Sequence, residues 1–81
     1  MRNTKSKTTE TAAARYAARH AEAEDLLKRI EIGLAEYQKR QAEEPKNWGY
    51  AMFMGHITEQ LAYVLADLGD RSVVEAKGLD Y

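Results

Sequence analysis

A lone proline, Pro45, interrupts a stretch from residue 9 to 68 that otherwise reads as helix. Proline lacks the amide that a helix interior needs and drives its predecessor out of helical space, so the backbone must turn at Glu43-Glu44-Pro45-Lys46. What lies on either side is periodic. From residue 9 to 43 the composition is dominated by Ala, Leu, Glu, Lys and Arg with one glycine, which favours helix over more than eight turns. Thr8 or Thr9 can cap its first amides, and Glu10 then sits in the first turn, where a negative charge suits the helix dipole. Ala13, Tyr16, His20, Ala23, Leu27, Ile30, Leu34, Tyr37 and Gln41 alternate spacings of three and four, the heptad seam of two wrapped helices. The opposite face offers Glu24 with Lys28, Asp25 with Arg29 and Glu36 with Arg40, all acid first and four apart.

Beyond the turn, Asn47 is a natural helix cap and the second helix is expected over 47–68, with Gly69 placed for a left-handed end. Tyr50, Met54, Ile57, Leu61, Val64 and Leu68 form a second seam of the same period. The expected fold is therefore all-α: an antiparallel two-helix hairpin over 9–69, with an unstructured basic arm at 1–8 and a partly ordered tail at 70–81. Folding the second helix back would pair Tyr37 with Tyr50, Leu34 with Met54, Ile30 with Ile57, Leu27 with Leu61, Ala23 with Val64 and His20 with Leu68. It would also bring Gly33 level with Gly55, where close backbone approach would explain two helix-weakening glycines. Val73, Val74 and Leu79 of the tail are available to cover the overhanging start of helix 1.

The helices carry more apolar residues than two seams can use. Trp48, Met52, Phe53, Ala62 and Leu65 lie off the second seam, and Leu26 and Ile32 off the first. Apolar surface of that extent marks an interface, and a domain this short buries too little of its own surface to be stable without staples or partners. The simplest answer is a homodimer closing a four-helix bundle, with Trp48, Met52, Phe53, Leu65, Leu26 and Ile32 at the contact.

Other function classes find little support. The chain contains no cysteine, which removes disulfides and thiolate metal sites and suits a reducing cytoplasm. No apolar run reaches membrane-spanning length, and no leader-type apolar segment opens the chain. His20 with Glu24 and His56 with Glu59 each set an imidazole near a carboxylate. Bundle metal sites instead use Glu-x-x-His with further inward glutamates, so neither a metal nor any other cofactor is expected. No phosphate loop, catalytic triad or group of inward carboxylates can be assembled, and the chain does not read as an enzyme. The alternative is a small accessory or regulatory DNA-binding protein: residues 1–20 hold five basic residues against one acidic, although the whole chain has a net charge of −1. Arg2, Lys5, Lys7, Arg15 and Arg19 would then meet the phosphate backbone.

Asn47-Trp48-Gly49, followed by Gly55-His56-Ile57 and Glu59-x-Leu61, resembles a pattern in short uncharacterised helical proteins of bacteria, their plasmids and phages. The resemblance spans about twenty residues of the second helix. It implies a bacterial cytoplasmic setting on a mobile element and carries over no functional residue.

Overall fold

The computed structural model describes residues 11–81 of the chain. All regular structure among them is α-helical: α1 spans Ala12–Glu43, α2 Trp48–Asp67 and α3 Ser72–Lys77. The described chain forms two compact units, one running up to Arg40 and the other covering Gln41–Tyr81.

In the first unit, α1 begins at a cap other than the expected one. The Thr11 hydroxyl oxygen accepts the Ala14 amide at 3.0 Å and its carbonyl accepts the Arg15 amide at 3.0 Å. This satisfies amides that the first turn leaves without helical partners. Thr8, Thr9 and Glu10, together with the basic arm, lie outside the described residues. Of the three expected acid–base pairs, Asp25 with Arg29 closes at 2.9 Å. Glu24 instead faces His20 at 3.7 Å, and Glu36 lies 3.8 Å from Lys39. All are exposed, where such pairs contribute tenths of a kcal/mol. No residue of α1 is buried.

The second unit opens with the turn that Pro45 imposes. The Glu44 amide donates to Gln41 and the Asn47 amide to Glu44, both at 3.0 Å. Asn47, in extended conformation, then caps α2 as its composition predicts, its Oδ1 accepting the Gly49 amide at 2.9 Å. A side chain at residue 49 would begin 3.0 Å from that same oxygen, so the glycine leaves room for the cap.

At its other end α2 closes through Gly69, which adopts φ +107°. The Gly69 amide donates to Ala66 at 2.9 Å and the Asp70 amide to Leu65 at 3.1 Å, the paired bonds of a Schellman motif. The reversal brings α3 back onto α2. A tail expected to be only partly ordered thus contains a third helix, and the same motif ends it: Gly78, at φ +69°, donates to Glu75 at 3.1 Å and Leu79 to Val74 at 2.8 Å. Leu79 is thereby carried against the residue whose carbonyl it caps. The core of this unit is Val74, wholly buried, set on Ala62 and Ala66, with Tyr63, Val73 and Leu79 around it. Two alanines make a shallow seat on α2, and a six-residue helix fits close against it. Val73, Val74 and Leu79, available in the sequence to cover the start of α1, pack with Ala62 and Ala66 of α2.

Candidate interaction surface

A straight α-helix turns about 100° per residue, which sorts the side chains of α2 into two opposed faces. Tyr50, Met54, Ile57, Leu61, Val64 and Leu68 fall within about 80° of arc and form one of them, the seam. Trp48, Met52, Gly55, Glu59, Ala62 and Ala66 fall within a similar arc on the reverse. The four residues of α2 expected at an interface therefore do not share one face of that helix. Trp48 and Met52 share the reverse face, Phe53 borders the seam, and Leu65 lies on a flank, half-buried, with its carbonyl taken by Asp70. On α1, Leu26 flanks the seam and Ile32 points away on the far side.

Exposure separates the two ends of the reverse face. Ala62 and Ala66 are buried beneath α3, whereas Trp48 is 78% and Met52 74% exposed. Phe53, Leu26 and Ile32 are exposed as well, as are Leu27, Ile30, Val64 and Leu68 of the two seams. The missed feature is α3 itself, which takes up part of the surplus that the sequence assigned to a partner. Its signal was the Gly69-to-Gly78 spacing, one short helix between two left-handed positions.

Residues 67–81 also close a polar clasp over the end of α2. The Tyr81 hydroxyl donates to Asp67, its ring stacks on Tyr63 with centroids 6.2 Å apart, and the Arg71 guanidinium lies 5.2 Å above it. At the start of α3, Asp70 accepts both the amide (3.0 Å) and the hydroxyl (2.7 Å) of Ser72, which hold its carboxyl below the usual value. Tyr81 shifts the other way: its bond to Asp67, then desolvation and the Asp67 charge, raise it above the ordinary 10.0, against the opposing pull of Arg71. A raised pKa means the folded state holds the proton more tightly than the unfolded one. The clasp contribution of Tyr81 is therefore full below pH of about 10 and is lost as pH rises through the higher folded value. Titration of tyrosinate absorbance should show one of the five tyrosines ionising late, and Tyr81→Phe should remove that late step. A Tyr81→Phe curve that keeps the late step would refute the contact.

Of the residues expected to meet nucleic acid, Arg2, Lys5 and Lys7 lie outside the described residues, Arg15 is on the first turn of α1, and Arg19 pairs with Glu22 at 3.4 Å. His20 packs its ring against Tyr16 at 5.7 Å and His56 against Phe53 at 6.3 Å. Among the described residues no three His, Asp or Glu side chains are grouped as a metal ion would require. No described helix is long and apolar enough to cross a membrane. Against known proteins the chain finds no match: no family model fits it, and neither a curated protein nor a solved structure matches it.

Proposed function

We propose that this chain is a non-enzymatic, self-associating helical protein that works through protein–protein contact, with α1 and α2 folded back as an antiparallel hairpin and two hairpins closing a four-helix bundle. One observation carries the reading: the buried core of the described residues is two alanines and a valine, while Tyr16, Leu26, Leu27, Ile30, Ile32, Trp48, Met52, Val64 and Leu68 stand exposed. Fully burying one large apolar side chain is worth about 1.5–3 kcal/mol, so such a set outweighs what so small a core supplies. Water-exposed surface of this kind is stable when a partner covers it, and a second copy is the partner always present at matching concentration. The setting that accompanies the proposal is a bacterial cytoplasm, on the resemblance carried by Asn47-Trp48-Gly49 and Gly55-His56-Ile57.

Light-scattering mass across a dilution series tests it. The expected result is a mass near twice the 9.2 kDa of one chain at high concentration, falling toward one chain, with loss of helical circular dichroism, on dilution. A well-folded monomer at every concentration would overturn self-association. Binding to DNA through the basic arm is the competing reading, and no described contact favours it.

A further inference from the structure

Residues 67–81 form a loop that is tied to α2 at both ends. At the near end the chain leaves α2 through Gly69, whose left-handed φ and the bonds from the Gly69 and Asp70 amides set the reversal. At the far end the Tyr81 hydroxyl donates to Asp67, back on the last turn of α2, and its ring stacks on Tyr63 one turn earlier. Arg71 braces the two ends, its guanidinium over the Tyr81 ring and its Nε 3.6 Å from Glu75 of α3. Between the ties lies α3, with Val74 as its buried residue.

Two kinds of contact thus hold one short helix. The seat is dry: Val74 has no exposed surface and rests on Ala62 and Ala66. The clasp is wet: Asp67, Arg71 and Tyr81 are all exposed. A segment tied at both ends has few conformations open to it once it leaves its seat. Tied at Gly69 alone, the same segment has many more, and that chain entropy favours the open state. The clasp therefore acts on Val74 through the chain, from beyond the end of α3. Elements with few buried apolar contacts and exposed hydrogen bonds are the ones that open first, as units, while the rest of a fold stays closed.

From this we infer that residues 68–81 are a latch on α2, hinged at Gly69, in which the exposed Tyr81 clasp governs whether Val74 keeps its buried seat. Clasp and seat open together, and opening uncovers Ala62 and Ala66. The latch thereby sets how much of the reverse face of α2 meets water, adding the two alanines to the already exposed Trp48 and Met52.

Amide hydrogen exchange on the full chain tests the coupling. The Glu75, Gly78 and Leu79 amides are bonded to Arg71, Glu75 and Val74 and so report along the length of α3. In Tyr81→Ala all three are expected to exchange faster by the same factor, roughly tenfold, the combined worth of one hydrogen bond and one aromatic pair. Amides in the middle of α2 should keep their rates, and Tyr81→Phe, which keeps the ring, should give a smaller common factor. A second readout uses the absence of cysteine from the chain. The thiol of Val74→Cys should react with a water-soluble disulfide reagent only through the open state, and about tenfold faster when Tyr81→Ala is added. Acceleration confined to Leu79 with Glu75 unchanged, or a thiol rate indifferent to residue 81, would overturn the latch and show that α3 is held by its seat alone.

Discussion

Val74→Asp is expected to lift α3 off α2 altogether while leaving α1 and α2 helical. Val74 is wholly buried and carries the contact between α3 and the Ala62/Ala66 seat. An unpaired carboxylate there would lose its hydration at a penalty of several kcal/mol. The contact it interrupts is worth much less, about 1.5–3 kcal/mol for one large apolar side chain. The unequal magnitudes decide the outcome: the short helix moves out into water and the charge is not buried. Amide hydrogen exchange over residues 72–79 should then lose its protection, and the Tyr63–Tyr81 ring contact should disappear from proton spectra. Val74→Ala, which removes two carbons at roughly 0.8 kcal/mol each, should only weaken the same signals. Protection left unchanged by Val74→Asp would mean that α3 is held by something other than this seat.

Gly69→Val should produce the second largest effect, by a different route. Gly69 has φ +107°, and no atom lies within 4 Å of a Cβ built there, so crowding plays no part. The strain is in the backbone alone, and a β-branched residue is the least able to adopt such a φ. An energy of about 1–3 kcal/mol is at stake, a large share of what joins α3 to α2. The variant should therefore show α3 amides exchanging faster and the paired bonds from Gly69 and Asp70 weakened, with the middle of α2 unaffected. Gly69→Ala should give a smaller shift in the same direction. Equal protection in the Gly69→Val chain would show that the reversal does not depend on the left-handed residue.

The parts legible in the sequence are those governed by neighbours along the chain. Pro45 ends α1 because a missing amide and a steric clash act within one turn, wherever the helix sits. Asn47 caps α2 because its side chain reaches an amide two residues away, and Gly69 closes it because only its own φ is involved. The shift of the first cap from Thr8 or Thr9 to Thr11 is an error of the same local kind, since three threonines in a row of four positions offer the same hydroxyl. Ala62 looked like surplus apolar surface because heptad spacing sees only the seam. Its partner, Val74, is twelve residues away and on the other side of a reversal.

Composition and period alone, then, determined that this chain is helical, where the long helices break and that each carries a regular apolar seam, because helix propensity, capping and proline geometry act over distances of a turn or less. Tertiary structure alone decided that residues 72–77 are helix. A six-residue segment cannot offset the cost of nucleating a helix from propensity, and it forms here because Val74 finds a seat on Ala62 and Ala66 and Leu79 closes over it. Tertiary structure likewise divided the surplus apolar face of α2, covering Ala62 and Ala66 and leaving Trp48 and Met52 in water, since which side chains meet across a reversal depends on where the chain returns and not on any repeat within it.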